Sequence, residues 1–155
     1  MKNFTFQIII IIFLSSCQNV IVSDNETGVH FKRFGGGVDT TKVYKKGSYL
    51  IPNWDYFVKY DTRLKKGNII EIENGKIKIR FESKLNEKDV GKFHRSIGGD
   101  PTERASRIIE EELINFDFSK INLKNKFQFQ LQLFEKCKSK LSKEYIELSK
   151  LSIEL

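Results

Sequence analysis

A strict alternation of apolar and cationic residues follows the dipeptide Asn74-Gly75, and it restricts the possible folds more than any other feature of the sequence. Asn and Gly both tolerate positive φ, so the pair is typical of a type I′ turn between two strands. The apolar positions are Ile77, Ile79 and Phe81, and the basic positions are Lys76, Lys78 and Arg80. The pattern predicts an antiparallel hairpin with one face on a core and a basic face turned outward.

A second hairpin is predicted nearer the N-terminus. Residues 29–34 alternate, and three consecutive glycines at 35–37 supply the reversal. A glycine-rich loop can also bind phosphate, but no helical pattern follows here that would offer a helix N-terminus.

Helices are predicted in the C-terminal half. Asn86 can cap a short helix whose apolar positions lie three and four residues apart. Asp100, Pro101 and Glu103 have the arrangement of a second helix start, with a cap, a proline in the first turn and a partner for a capping box. The buried stripe of this second helix is expected at Ala105, Ile108, Ile109, Leu113 and Phe116.

The segment 122–145 fits two patterns. Apolar residues alternate with glutamines over part of it, as in a strand, yet they recur at helical spacing over the whole segment. A strand of roughly twenty residues would be unusually long, so we predict a helix. Its expected stripe is Leu123, Phe127, Leu131, Phe134, Leu141 and Tyr145; the apolar side of a last strand is expected at Leu151, Ile153 and Leu155.

The elements therefore run from strands to helices and back to one strand. At 155 residues the chain has room for one domain. We predict an α+β fold in which about three helices pack on a mainly antiparallel, twisted sheet that closes with a C-terminal strand, without a long coiled coil. The net charge of +7 permits an acidic partner such as nucleic acid, anionic lipid or an acidic protein.

The first residues are typical of an export signal. One Lys near the start precedes an apolar run that is shorter than the roughly 20 residues of a membrane-spanning helix. The run ends in Leu14-Ser15-Ser16-Cys17, which resembles the lipobox of bacterial lipoproteins. Small residues let a peptidase reach the bond before Cys17, whose thiol takes a diacylglyceryl group and whose new amino group can take a further acyl chain.

This interpretation divides the chain into a signal peptide at 1–16, a lipidated Cys17 with a tether at 17–26, and a domain at 27–155. The domain would lie outside the cytoplasm, anchored to a bacterial membrane. Gln18 is not the Asp that retains lipoproteins at the inner membrane in some bacteria, so the outer membrane is the default expectation. An ordinary secretory signal with an unrelated cysteine is the alternative. Cys137 lies between two lysines that favour a thiolate, but we expect a buried side chain on a helix, without an intramolecular disulfide.

The sequence Leu50-Ile51-Pro52-Asn53-Trp54 contains the only Trp of the chain and one of its two prolines. Pro52 fixes φ and lacks an N–H donor, so it is expected at the edge or entry of a strand. The strand that follows should begin at Tyr56. Trp54 and Tyr56 are expected to pack in a core with neighbouring apolar residues.

The mature chain resembles the SPFH (stomatin/prohibitin/flotillin, or band 7) domain. Matching segments follow one another in the family's order over residues 27–155: TGVHFKRFGG, YKKGSYLIPNWDYFVKYDTRLKK, ENGKIKIRFESKLNEKDVGKFHRSIG, DPTERASRIIEEELINF and FEKCKSKLSKEYIELSKLSIEL. The resemblance implies that the face with Pro52, Trp54 and Tyr56 lies near the membrane. The two aromatic rings would then lie at the lipid head groups, in place of the core.

Members of this family are known chiefly as scaffolds and modulators of membrane proteases, so the resemblance implies a lipid-anchored, non-enzymatic scaffold or modulator of membrane proteins. His30 and His94 are isolated and form no recognisable catalytic or metal-binding motif. We expect no cofactor, metal, small-molecule substrate or nucleic-acid partner. The expected partners are membrane lipid, a membrane protein or a second copy of the chain.

Two departures from the family bear on assembly. The segment between Arg63 and Asn74 is shorter than usual, and the long coiled coil that helps family members form rings is missing from the sequence. The alternative function is therefore a monomeric envelope lipoprotein that binds a partner protein or ligand through its basic face. That face, Lys76, Lys78 and Arg80, can also orient the domain on anionic head groups or remain a solvated surface.

Overall fold

The computed structural model describes residues 16–67, 70–72, 77–116, 121 and 124–154, and it has the predicted α+β fold. The strands are β1 (Cys17–Val22), β2 (Glu26–Lys32), β3 (Gly37–Val38), β4 (Gly47–Pro52), β5 (Tyr56–Asp61), β6 (Lys65–Lys66), β7 (Ile70–Ile72), β8 (Ile77–Leu85) and β9 (Ile146–Glu154). A 3-10 turn at Glu87–Asp89 leads into α1 (Val90–Ser96), which is followed by α2 (Pro101–Leu113) and α3 (Lys126–Lys143). None of these helices forms a long coiled coil, since the longest of them has 18 residues.

The strand pairs are antiparallel and form three sheets. β1 pairs with β4, β2 lies between β3 and β5, and β8 pairs with β6, β7 and β9. Phe31 of β2 lies opposite Val38 of β3, which confirms the predicted N-terminal hairpin. Gly36 and Gly37 in its turn have φ values of 113° and 73°, a region that glycine enters without strain.

β8 has the predicted alternation. Ile77, Ile79 and Phe81 are buried, whereas Arg80 is exposed. β7 runs antiparallel to β8, as a hairpin requires. The predicted turn at Asn74-Gly75 and the neighbouring Lys76 lie outside the described residues.

β9 pairs with β8 and carries a β-bulge at Ser149. The residues on either side of Ser149 pair with consecutive residues of β8, so Ser149 is the extra residue. The buried side chains therefore change parity along the strand: they are Ile146 and Leu148 before the bulge and Leu151 and Ile153 after it. The alternation predicted for the last residues is confirmed for Leu151 and Ile153, and Leu155 lies outside the described residues.

The predicted helix start at Asp100 is confirmed, and Asn86 caps the 3-10 turn that leads into α1 in place of α1 itself. The Asn86 side chain accepts a hydrogen bond from the Lys88 N–H at 3.2 Å, and Asp100 accepts one from the Thr102 N–H at 2.6 Å. Glu103 forms an ion pair with Arg107 one turn further along α2. The expected stripe of α2 is buried at Ala105, Ile108, Ile109 and Leu113, and Phe116 packs beside it.

α3 confirms the helical interpretation of its segment, and the predicted stripe is partly right: Leu141 is buried, Phe134 and Tyr145 pack against the core, and Leu123 lies outside the described residues. Phe127 and Leu131 are exposed. The buried residues are Leu133, Cys137 and Leu141. They join α3 to α2 and β9 in one hydrophobic core, which also reaches Val29 of β2 and Tyr60 of β5.

Residues 17–22, interpreted from the sequence as part of a tether, form β1 instead. Val22 of this strand is buried, and each residue from Cys17 to Val22 pairs with a residue of β4. The polar composition suggested a tether. The strand was not predicted because its partner, β4, lies far away in the sequence. Among the described residues, regular structure therefore begins at Cys17.

Candidate membrane-anchoring site

The residues after β4 form a tight turn that carries the only Trp. The Asp55 N–H donates to the Pro52 carbonyl at 3.0 Å, which closes a four-residue turn with Asn53 and Trp54 in the middle. Pro52 is the last residue of β4, in a sheet of two strands. Its missing N–H therefore costs little there, and the chain enters β5 at Tyr56 as predicted.

β1 places Cys17 beside this turn. Cys17 is the register partner of Pro52, and the Asn53 N–H donates to the Ser16 carbonyl at 2.7 Å. The Cys17 side chain is exposed. The residue predicted to carry lipid and the turn predicted to lie near the membrane thus occupy one end of the protein, called here the anchoring end: β1, β4 and residues 53–56.

The β1–β4 sheet has an inner and an outer face. Val22 and Ile51 point inward and are buried. Because alternate residues of a strand point to opposite faces, the outer face carries Cys17 together with Ile21 and Leu50. Leu50 is 77 % exposed and Ile21 is 63 % exposed. The same face also carries Asn19 and Ser48, whose side chains hydrogen-bond to each other, so exposed apolar and polar residues are mixed on it.

The aromatic residues of this region divide into two sets. Tyr49 and Phe57 turn inward and meet the buried Tyr44 ring, with centroids at 5.0 and 5.3 Å. Trp54 is 42 % exposed and Tyr56 is 59 % exposed, so the expected core packing of these two rings was wrong. Both rings are therefore available at the surface, and their place at lipid head groups stays a prediction.

Asp55 joins the turn to its neighbours. Its carboxylate lies 2.7 Å from His30 Nε2 and accepts a hydrogen bond from the Arg33 N–H at 2.9 Å. Its backbone carbonyl accepts a longer bond, 3.4 Å, from the Gln18 side chain. One residue therefore connects the turn to β1, to β2 and to the β2–β3 turn, where the exposed Phe34 lies.

The protonation of Asp55 follows from these contacts. Burial alone would raise the pKa of this carboxyl group, but the hydrogen bonds from Arg33 and His30 outweigh burial, so the pKa of Asp55 is below its usual value. Asp55 is therefore ionised at neutral pH. An ionised carboxylate is the stronger acceptor, which holds the turn in place.

The two histidines are occupied by protein partners. His30 is buried, and its second ring nitrogen, Nδ1, lies 3.3 Å from the Tyr44 hydroxyl. His94 Nδ1 lies 2.7 Å from the Tyr60 hydroxyl, and burial lowers the pKa of His94. His30 therefore acts as a structural contact through both ring nitrogens, and His94 contacts Tyr60 through one.

Cys137 is buried in the core. Burial raises the pKa of its thiol to about 12, and Glu112 adds to the effect, whereas the neighbouring lysines oppose it. The thiol therefore stays protonated, as the expected structural role requires.

The basic face of β8 is less basic than its sequence suggests. Arg80 pairs with Glu154 of β9 at 2.9 Å, and Lys78 lies opposite Glu154 in the register. A cleft of about 620 Å³ on this side is lined by both signs of charge, including Lys66, Glu82 and Lys150. This surface is therefore a mixed-charge face.

The described part of the chain contains no group of three or more His, Cys, Asp or Glu side chains that could hold a metal ion. Within the same residues, no helix combines the length and the apolarity that crossing a membrane requires. No family model matches the chain, and no curated protein matches it either. The likeness to SPFH domains and the lipid anchor therefore stay predictions.

Sequence reasoning missed several residues of this site. The sequence did not show that Leu50 and Ile21 are exposed. Residues 50 and 51 are both apolar, so alternation does not indicate which of the two side chains points outward. Asp55 and its contact with His30 carry no motif. The one available signal for Asp55 was its position as a charged residue directly after Trp54.

Proposed function

We propose that this chain is a lipid-anchored, non-enzymatic protein that acts at a bacterial membrane as a scaffold or modulator of membrane proteins, in the manner of SPFH domains. The pairing of Cys17 with Pro52 carries the proposal. It brings a lipobox cysteine, a sheet face with exposed Leu50 and Ile21, and two exposed aromatic rings to one end of the protein.

The chemistry of the anchoring end supports a position at the bilayer surface. Each buried methylene of an acyl chain contributes about 0.8 kcal/mol, so two or three chains on Cys17 hold a protein firmly. β1 starts at the acylated residue, so the outer face of the β1–β4 sheet would lie directly against lipid. Trp54 and Tyr56 suit the head-group region, where amphipathic rings are favoured.

A non-enzymatic role is supported by the state of the histidines. Both ring nitrogens of His30 have protein partners, and a general base needs a free nitrogen within reach of a substrate. The domain would lie outside the cytoplasm, with the outer membrane as the default location because Gln18 follows Cys17.

Fractionation of bacterial cells tests the anchor. The Cys17→Ala variant of the full chain should leave the membrane fraction or accumulate unprocessed, because it has no thiol to acylate. Cys137→Ala is the matched control, since it removes the other thiol, and it should stay in the membrane fraction. A processed Cys17→Ala protein that remains in the membrane would refute the lipid anchor.

Self-association separates a scaffold from a monomeric lipoprotein. β1 pairs only with β4 and β9 only with β8 among the described strands, and open strand edges can join copies of a chain. Cross-linking of the anchored protein in native membranes should give a ladder of oligomers. A monomer at every protein density would refute the scaffold and favour the alternative of a monomeric partner-binding lipoprotein.

A further inference from the structure

The first backbone hydrogen bond of the β1–β4 sheet is made to the peptide bond that lipoprotein processing would cut. The Asn53 N–H donates to the Ser16 carbonyl at 2.7 Å, and that carbonyl belongs to the peptide bond between Ser16 and Cys17. Pro52, the partner of Cys17, has no N–H to give. Hydrogen-bonded and non-hydrogen-bonded pairs alternate along an antiparallel ladder, so Asn53, and not Pro52, supplies the donor at the start of β1.

Processing would remove the acceptor. Water hydrolyses the Ser16–Cys17 bond, so Ser16 leaves with a carboxylate and Cys17 keeps an α-amino group. An α-amino group has an ordinary pKa of about 7.7–8.0 and is largely protonated at neutral pH. The Asn53 N–H would then face an ammonium group, which is a donor and not an acceptor.

Acylation of that amine restores the acceptor. Transfer of an acyl group from a phospholipid ester to the Cys17 nitrogen forms an amide and releases a lysophospholipid and the proton of the amine. The new amide has the same N–C=O connection as the lost peptide bond. Amides are planar and trans, so the acyl carbonyl oxygen takes the direction that the Ser16 oxygen had.

We infer that the Asn53 N–H is the binding site for the carbonyl of an N-acyl group on Cys17, so that the folded domain recognises the N-acylated form over the form with a free amine. The inference rests on the proposed lipid anchor and specifies its chemistry. The S-linked lipid would leave from the outer sheet face beside Leu50, and the N-acyl chain would leave past Trp54, the residue after the donor.

Soluble surrogates of the mature chain, residues 17–155, test the inference, since all described helices and strands lie within them. Two forms are compared, both alkylated at the Cys17 thiol; one has a free α-amino group and the other an N-acetyl group. Amide hydrogen exchange at Asn53 should be about tenfold slower in the acetylated form, as expected for one hydrogen bond. The difference in thermal midpoint should shrink above about pH 8, where the amine loses its charge.

Two variants test the backbone N–H of Asn53 separately from its side chain. Asn53→Pro removes the N–H at a turn position that accepts proline, and it should abolish the difference in thermal midpoint between the acetylated and free-amine forms. Asn53→Ala removes only the side chain and should preserve the differences in exchange and midpoint. Equal exchange at Asn53 in both wild-type forms would overturn the inference, and so would a midpoint difference that survives Asn53→Pro.

These experiments distinguish a wrong carbonyl site from a wrong lipid anchor. If Cys17→Ala releases the protein from membranes but acetylation changes nothing, lipidation stands and the carbonyl site is wrong. If acetylation stabilises the domain but the chain carries no lipid in cells, Asn53 binds only the unprocessed Ser16 carbonyl, and the acyl assignment is overturned.

Discussion

The anchoring end and the helix-covered body, defined as β8, β9 and α1–α3, use the same kinds of residue in opposite ways. In the body, large apolar side chains such as Phe81 and Phe93 are fully enclosed. At the anchoring end, Leu50, Trp54 and Tyr56 are exposed, although buried Val22 and Ile51 lie on the other face of the same sheet. These exposed residues are therefore available for a partner.

The β2–β5 sheet connects the two regions. Val29 and Tyr60 belong to the core of the body, whereas His30, the residue after Val29, contacts Asp55 of the anchoring end. Adjacent residues of β2 therefore point to opposite sides, one into the core of the body and the other toward the anchoring end. Changes in the body should affect folding, and changes on the outer face of the anchoring end should affect membrane contact without affecting folding.

The largest effect is expected from truncating the body. Phe81→Ala should lower the free energy of unfolding by about 3–5 kcal/mol, because it opens a cavity in a packed core. Leu50→Ala, the matched truncation at the anchoring end, should change it by no more than about 0.5 kcal/mol. Urea titrations of the lipid-free mature chain measure both values. A loss at Leu50 equal to that at Phe81 would mean that Leu50 packs in a core.

The next effect concerns the connecting sheet. A Cβ on Gly28 would meet Cζ of Phe57 at 2.1 Å, and the Phe57 ring is held against Tyr44. Gly28→Ala should therefore cost about 1–3 kcal/mol through overpacking.

Gly35→Ala is the control for Gly28→Ala, because no atom lies within 4 Å of a Cβ added at Gly35. Its unfolding midpoint in urea should equal that of the wild type. A wild-type midpoint for Gly28→Ala would show that the Phe57 ring moves aside at no cost, and the connecting sheet would then be looser than the structure indicates.

A smaller effect is expected at Asp55, and it depends on pH. The pKa of Asp55 is lowered in the folded chain, so its carboxylate adds stability above the usual carboxyl pKa, and this contribution is lost as the pH falls through the folded pKa. Asp55→Asn should lower the thermal midpoint at pH 7, and the gap to the wild type should narrow as the pH falls below the usual carboxyl pKa of about 3.9.

The control for Asp55→Asn is Asp24→Asn, which removes an exposed carboxylate that pairs with Lys46 at 2.7 Å. It should change the midpoint little at any pH. A gap between wild type and Asp55→Asn that stays constant from pH 7 to pH 3 would mean that the amide disturbs packing and that the charge of Asp55 adds nothing.

The sequence predicted those parts of the fold whose signals are local. Asn86 and Asp100 act on backbone N–H groups two or three residues away, and the alternation in β8 depends only on its own residues. The helical interpretation of α3 was correct as well. Its stripe was only partly correct, because this helix has more apolar residues than one face holds: Leu141 is buried as predicted, but Leu133 is buried in place of Leu131.

The candidate site depends on contacts between distant residues, which no local pattern encodes. The pairing of Cys17 with Pro52 turns a presumed tether into a strand. The same pairing decides that Ile51 points inward and Leu50 outward, although both are apolar. The sequence located the lipobox cysteine and the aromatic turn separately, and only the fold shows that they are neighbours.

The smallest effect is expected on the outer face of β8. The variant with Lys76, Lys78 and Arg80 all changed to Gln should weaken binding of the lipid-free mature chain to anionic vesicles only slightly. A free cation near an anionic surface contributes about 1 kcal/mol, but Arg80 is already paired with Glu154. Trp54→Ala at the anchoring end should weaken vesicle binding roughly tenfold, because it removes a large apolar surface from the lipid contact.

In this vesicle assay, the dependence on salt distinguishes binding through the β8 face from binding through the anchoring end. Raising the ionic strength from about 0.01 M to 0.15 M shortens the Debye length from about 30 Å to about 8 Å, which weakens binding through cations and leaves apolar contact nearly unchanged. Wild-type binding should therefore fall only modestly, and the loss from Trp54→Ala should be the same at both salt concentrations. If the triple Gln variant abolishes the preference for anionic over neutral vesicles while Trp54→Ala binds normally, β8 contacts the membrane and the anchoring end does not.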